Sequence, residues 1–438
     1  MTIVRGLLGL VFFCLVAWGL SSDRRRFPWR IVIFGLVMQA GLGWVILGTD
    51  TGGQVFDHLS AAVQKLIEMA EPGAKLVFGP LADPATMEQA VGAKHAFVFA
   101  FAGRGLVAII FFSALMGVLY HIGVMQVLVY GLARVMSVVL GVSGSESMAM
   151  AANVFVGQTE APLVVRPYIE KMTASELNAL MTGGFATIAG SVLAVYIGVL
   201  GEEYGPHLLA ASVMSAPAAF LVAKIMLPES DTSETGGTVE FRVERTATNL
   251  VEAAANGTTD GLKLWLNVIA MLIAFTGLVA LLDLLLGAVG GGIASTGLGM
   301  SFPVLGDALQ DLSLQKLFGW TLSPVAWLMG VDGTHDCQLF GGLLGAKVAV
   351  NEFVAFTQLQ AMLPSSGAEL AFESEKSAKM AAYALCGFAN FASIGIQIGG
   401  ITPLAPSRKI DLARLAPRAM LGGAMASWMT ATMAGMFL

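Results

Sequence analysis

The sequence predicts an all-α polytopic membrane protein, with about eight transmembrane helices plus two re-entrant hairpins in inverted repeats. Three observations lead there. The 438 residues are 56% hydrophobic and only 12% charged, with a mean hydropathy of +0.76, whereas a soluble domain carries about 25% charge. Several apolar runs reach the roughly 20 residues that a spanning helix needs. The third observation is a stretch that interrupts this pattern. Asn153-Val-Phe-Val-Gly-Gln-Thr-Glu-Ala-Pro162 sets Gly157, Gln158, Thr159, Glu160 and Pro162 between apolar arms too short to cross a bilayer. Glycine and proline break helices, one for want of a Cβ and the other for want of an N–H. A carboxylate at membrane depth is costly unless it faces protein or water, and irregular backbone there must line a cavity. The stretch therefore reads as the tip of a re-entrant hairpin; a surface loop would not need two apolar arms.

The elements follow in order. Residues 5–21 make a first span whose positive charges come after the apolar run, at Arg24, Arg25, Arg26 and Arg30. This order favours an uncleaved helix with its N-terminus outside over a signal peptide. Residues 30–48 return. His58 to Met69 carries Leu59, Val63, Leu66 and Ile67 at helical spacing and is expected in the membrane interface, with Pro72-Gly73 and Gly79-Pro80 bounding short turns. Residues 96–120 form a third span, and His121 to Gly141 a further apolar helix. The first hairpin covers 144–172. The span 177–200 contains Thr187-Ile-Ala-Gly-Ser191 and reads as a broken helix, and residues 207–227 return inward. Pro228 to Gly261 is the long polar stretch, with Arg242 and Arg245; within it Val243 to Ala255 reads either as a surface helix or as a linker. Residues 262–288 span outward to the glycine cluster Gly287 to Gly292.

A second irregular region, 313–362, holds Asn351-Glu-Phe-Val-Ala-Phe356, again a carboxylate between short apolar arms. Residues 377–400 form a span with Gly387-Phe-Ala-Asn-Phe-Ala-Ser-Ile-Gly395 at its centre; a basic loop at 403–418 and a last span at 419–438 complete the chain. Hairpin, broken span and span thus occur twice. The chain divides into N-terminal scaffold helices with the interfacial helix (1–143), a first transport repeat (144–228), a surface helix or linker with a scaffold span (229–312), and a second transport repeat (313–438). Lys and Arg clusters at 24–30 and 403–418 fall on the cytoplasmic side if both termini lie outside, which makes the repeats inverted. Inverted repeats with interrupted helices characterise secondary transporters, with the site near the midplane between them.

Gly157-Gln-Thr-Glu-Ala-Pro-Leu163 with Arg166-Pro-Tyr168, then Asn351-Glu-Phe-Val-Ala-Phe356, then Gly387-Phe-Ala-Asn-Phe-Ala-Ser393 resemble the concentrative nucleoside transporter family, bacterial type, from about residue 96 onward. The chain departs from the family pattern after Val331, where Asp332-Gly333 stands in place of an aromatic. The resemblance implies an ion-coupled nucleoside symporter of the cytoplasmic (inner) membrane, surrounded by lipid and assembled as a homotrimer. It places Gln158, Thr159 and Glu160 against the nucleobase, Glu352, Asn390 and Ser393 on the ribose hydroxyls, and Phe388 and Val192 beside the base. It also implies Asn153, Val156, Thr187 and Ile188 as ligands of a sodium ion, the coupling ion, with no organic cofactor. Gly157-Gln158 is similar to the broad-specificity members, so neither purines nor pyrimidines are singled out.

The residue types agree with that chemistry. A carboxylate accepts two adjacent hydroxyls at once, an amide matches either donors or acceptors on a base edge, and an aromatic face suits a flat ring. Neutral oxygens at a helix break suit sodium; a proton-coupled symporter would instead use a buried carboxylate such as Glu160 or Glu352. A channel would need rings of like residues along a continuous pore. An intramembrane hydrolase would need a nucleophile with its base or a metal site; His58, His95, His121, His207 and His335 are scattered, and Cys14, Cys337 and Cys386 lack ligand spacing. An enzyme is therefore not expected. Ion-free exchange is a further alternative. No basic cluster interleaved with aromatics suggests a nucleic-acid partner.

Overall fold

The computed structural model describes residues 2–82, 86, 104–236, 247–295, 309, 312–364 and 369–438, and every regular element among them is a helix. The N-terminal scaffold consists of α1 (Thr2–Gly19), α2 (Trp29–Leu47) and α3 (Asp50–Phe78). Helices α1 and α2 are apolar all round and turn large residues such as Leu7, Val11, Ile33 and Val37 outward. That is the pattern of helices that meet lipid. On the inner face of α2, buried Gln39 donates to Met214 O at 3.3 Å and to Thr430 Oγ1 at 3.0 Å, tying α2 to two helices of the later repeats. Such amide bonds between helices replace the hydrophobic drive that is weak inside a membrane.

Helix α3 corrects the expectation of a turn at Pro72-Gly73, because it runs through Pro72 and ends at Gly79, whose φ is +56°. Its buried stripe (Ser60, Ile67, Ala70, Ala74) continues past the proline, so packing offsets the one backbone bond that proline removes. Helices α4 (Arg104–Ile122) and α5 (Val124–Leu140) meet at an angle of 78° over Gly123, whose φ of +93° favours a residue without a Cβ. The start of the expected span, residues 96–103, lies outside the described residues, as do Arg242, Arg245 and the first part of the expected helix at 243–255.

The first repeat comprises α6 (Gly144–Phe155), the short turns α7 (Ala161–Val164) and α8 (Arg166–Ile169), then α9 (Ala174–Ala186), α10 (Gly190–Leu200) and α11 (Gly205–Met226). Ser143 with Glu146 and Thr173 with Glu176 form capping boxes that fix the starts of α6 and α9. Lys224 is buried against Glu146 (2.7 Å) and Glu229 (3.3 Å) at the base of the hairpin.

The end of the polar stretch, from Leu250, is the start of α12 (Leu250–Ala294), capped by Asn249, which accepts from Glu252 N at 2.8 Å. The surface helix and the following span are therefore one helix, and the glycines at 287–292 do not end it. At 1.5 Å per residue it is about 68 Å long, roughly twice the hydrocarbon thickness.

The second irregular region holds three helices rather than two: α13 (Leu314–Met329), α14 (Thr334–Ala349) and α15 (Glu352–Ala361). The hairpin proper therefore begins at Thr334. Asp332-Gly333, the departure from the family pattern, is the junction before it; Gly333 has φ +72°, and Asp332 pairs with Arg5 of α1. The repeat continues with α16 (Glu375–Leu385), α17 (Phe391–Ile401) and α18 (Lys409–Ala434), the last absorbing most of the expected basic loop.

By length and composition, four helical stretches among the described residues can cross a membrane: Trp29–Leu47, Ala174–Leu200, Glu202–Met226 and Leu250–Ala294. The bent pair α4–α5 makes a fifth if counted as one span. The expected count is higher because it includes α1, the second repeat's broken span α16–α17, and α18, whose first turns carry Lys409, Asp411, Arg414 and Arg418. The core lies where the repeats meet: every residue of α9 from Ser175 to Ala186 is buried, packed against α11 and α18.

Candidate functional site

Four interruptions of helix gather at one place. They are the hairpin tip at 156–160, the break of α9–α10 at 187–189, the tip at 350–351 and the break of α16–α17 at 386–390. The two repeats touch at and beside them: Gly387 abuts the carbonyls of Phe185 and Ala186, and Gln397 of α17 donates to Met181 O of α9 at 3.0 Å. Beside them opens a cavity of about 420 Å³, walled on the scaffold side by Ile109 of α4 and by Leu264, Asn267 and Val268 of α12. This volume falls within the range of small-molecule sites.

All eight residues expected to bind substrate line this cavity: Gln158, Thr159, Glu160, Val192, Glu352, Phe388, Asn390 and Ser393. Two asparagines build its acidic end. Asn351 caps α15 by accepting from Val354 N, and Asn390 caps α17 by accepting from Ser393 N, both at 2.8 Å. An N-terminus places Glu352 where the helix dipole favours an anion. Glu352 Oε2 accepts from Asn390 Nδ2 at 2.8 Å, and Oε1 accepts from Tyr196 OH at 2.9 Å. Each oxygen thus has a protein donor, and a carboxylate, with about four acceptor sites, retains capacity for a ligand in the cavity it lines. Ser393 is buried among these groups. Tyr196 is held in turn by stacking on Phe356, with centroids 4.3 Å apart.

The opposite wall comes from the first tip. Glu160 folds back so that Oε2 accepts from Gly157 N at 2.6 Å. Gln158 is buried, and its Oε1 has no hydrogen-bond partner among the described residues. A buried amide oxygen without a partner costs about 1–3 kcal/mol, so a ligand donor there would relieve it. Phe388 and Val192 supply apolar surface between the two polar ends.

The four residues expected to hold a cation lie beside the first tip. Asn153, Val156, Thr187 and Ile188 are all buried. Thr187 Oγ1 lies 2.8 Å from Asn153 O and 2.9 Å from Gly183 O, which joins the hairpin to the break in α9–α10. Asn153 donates through Nδ2 to Leu180 O at 3.4 Å, while its Oδ1 has no partner among the described residues. This is a neutral all-oxygen environment with an unsatisfied acceptor, which suits a hard monovalent cation better than a transition metal. Among the described residues, no group of three or more His, Cys, Asp or Glu side chains could hold a metal ion. His335 and Asp336 serve the backbone instead: Asp336 accepts from Glu373 N and Ser374 N, at 2.8 and 3.2 Å.

Sequence reasoning missed Tyr196, Asn351 and the α12 side chains Asp260, Lys263 and Asn267 that reach the cavity. Tyr196 was within reach, since it follows Val192 by one helical turn and shares its face. The α12 residues carry no local signal, because only the packing of α12 on α4 brings them to the site.

Comparisons with known proteins fit this geometry. The Na+ dependent nucleoside transporter N-terminus model matches residues 8–81, the Gate (nucleoside recognition) model residues 104–203, and the Na+ dependent nucleoside transporter C-terminus model residues 207–435. An uncharacterized transporter of Haemophilus influenzae is 42% identical over 100% of this chain and 98% of that protein. The nucleoside permease NupC of Helicobacter pylori is 38% identical over 98% of this chain and 97% of its own length. Among solved structures, CNTnw in an inward-facing substrate-bound state superposes with a TM-score of 0.88 at 38% identity, covering 100% of this chain and 98% of that one. With the three family models covering most of its length, the chain belongs to the Na+-dependent, concentrative nucleoside transporter family.

Proposed function

We propose that this protein imports nucleosides across the cytoplasmic membrane together with sodium, by alternating access, as a homotrimer. The observation that carries the reading is the cavity between the repeats. Its acidic end is a carboxylate fixed by Tyr196 and Asn390 with acceptor capacity to spare, and its other end holds the partnerless oxygen of Gln158. A nucleoside offers adjacent ribose hydroxyls to the first and a base edge to the second, with Phe388 beside the ring. Glu352, Asn390 and Ser393 take the ribose, and Gln158, Thr159 and Glu160 take the base.

Sodium sits between Asn153, Val156, Thr187 and Ile188. Its charge draws the partnerless Asn153 oxygen and the Thr187 hydroxyl together, so the ion orders the tip that carries Gln158. Ion and nucleoside then strengthen each other's binding by the same factor. Alternating access follows if each repeat's tips and breaks move as a unit against the scaffold of α4 and α12. The test is uptake of labelled uridine and adenosine into proteoliposomes with and without an imposed sodium gradient. Sodium-driven accumulation is expected; uptake that ignores sodium and follows a pH gradient would move the coupling to Glu160 or Glu352.

A further inference from the structure

Each repeat carries one side chain at the same place, two residues before the end of the hairpin's first arm. Helix α6 ends at Phe155 and the residue is Asn153; helix α14 ends at Ala349 and the residue is Lys347. Both side chains cross from the hairpin to the broken span of their own repeat. Asn153 Nδ2 reaches Leu180 O of α9, and Lys347 Nζ donates to Ala384 O of α16 at 2.9 Å. In both repeats the third helix secures the same arm through a serine. Ser212 of α11 donates to Val154 O at 3.1 Å, and Ser427 of α18 accepts from Lys347 Nζ at 2.6 Å.

The two places differ in charge. Among the described residues, the first repeat leaves a buried amide oxygen unpartnered at Asn153. The second repeat holds a lysine that is 0% exposed, forms no ion pair among the described residues, and meets only neutral oxygens. An ammonium buried this way is expensive unless its charge has a use. Just past the hairpin break stands Glu352, the acidic end of the cavity.

We propose that Lys347 is a built-in cation, whose ammonium fills in the second repeat the place that the coupling sodium takes between hairpin and broken span in the first. The tethered charge does permanently what the ion does reversibly: it ties the arm to the break and sets positive charge behind the site's carboxylate. Ion dependence therefore resides in the first repeat alone. The proposal rests on the sodium reading above, which places the ion in the first repeat, and adds to it why the second repeat takes none.

The experiment measures coupling ratio by reversal potential in proteoliposomes, with sodium and uridine gradients opposed. The wild type should carry about one sodium per uridine, with a hyperbolic sodium dependence. Lys347→Gln replaces the ammonium with a neutral amide and frees the neighbouring oxygens, so the ratio should rise to about two and the sodium dependence should become sigmoidal. A Lys347→Gln protein that is folded and transports at an unchanged ratio overturns the proposal. So does a wild-type ratio of two, which needs no variant and decides the matter if Lys347→Gln does not fold. Wild-type uptake indifferent to sodium would instead sink the sodium reading itself.

Discussion

At the scale of single residues, Glu352 is the most exposed to test. Its two oxygens are held by donors, Tyr196 OH on one and Asn390 Nδ2 on the other. Glu352→Gln keeps the shape but sets an NH2 group against one of those donors and removes the charge. Loss of charge-assisted bonds to ribose should cost roughly 1.5–3 kcal/mol, about tenfold or more in affinity for uridine. Dideoxyuridine, which lacks the hydroxyls, should lose much less; equal losses would make Glu352 structural. Tyr196→Phe keeps the stack on Phe356 and deletes one donor, so uridine affinity should fall by about fivefold, near 1 kcal/mol, with the folded yield retained. Thr187→Val removes the hydroxyl that bridges Asn153 and Gly183. It should raise the sodium concentration for half-maximal uptake while uridine binding recovers at high sodium. The carboxylates and amides of the site were legible in the sequence because polar groups at membrane depth need a reason. Their mutual partners were not, because Tyr196 reads as an ordinary apolar-face aromatic until Glu352, far along the chain, is placed against it.

At the scale of elements, the breaks matter more than the helices. Gly387 sits in the break of α16–α17 at φ +139°, and a Cβ there would lie 2.8 Å from Phe185 O and 2.9 Å from Ala186 O. Only glycine allows both this backbone and this contact between the two repeats. Gly387→Ala should therefore lower the thermal unfolding midpoint in detergent, by an amount corresponding to about 1–3 kcal/mol, and weaken uridine binding along with it. An unchanged midpoint would mean that the crossing of the breaks tolerates a shift. The breaks at 156–160, 187–189, 350–351 and 386–390 were legible because glycine, proline and polar residues interrupt apolar runs. Pro72 shows the opposite case. The same residue type signalled a turn, yet the amphipathic stripe of α3 continues through it. Local chemistry says where a helix can stop, and packing decides whether it does.

At the scale of the whole molecule, the distribution of Lys and Arg sets the orientation. The clusters at 24–30 and 403–418 follow the first span and precede the last, so both termini should face the extracytoplasmic side. A reporter active only in the cytoplasm, fused after Leu438, should be silent; activity there would remove a span and break the inversion of the repeats. Not every basic residue votes in this rule. Lys224 and Lys347 are spent inside the protein, one in an ion pair and one on neutral oxygens. The long helix α12 turns Leu278, Leu281, Leu284 and Leu285 outward. Such a surface belongs against lipid or another subunit.

The sequence by itself determined the helical membrane class and marked the interruptions, while its resemblance to the nucleoside transporters named the residues that face the cavity. Hydrophobic run length, helix breakers and buried-looking polar groups are local signals, and the bilayer makes each of them costly to misplace. Tertiary structure decided what no local signal holds. It merged the last part of the polar stretch, from Leu250, into α12, because capping by Asn249 and packing on α4 outweigh its polar composition. It moved the start of the second hairpin to Thr334, because α13 packs on α14 as a helix of its own. It also brought Tyr196 to Glu352 and set Asn153 and Lys347 at matching places in the two repeats. These are relations between segments distant in the chain, fixed only when the repeats cross.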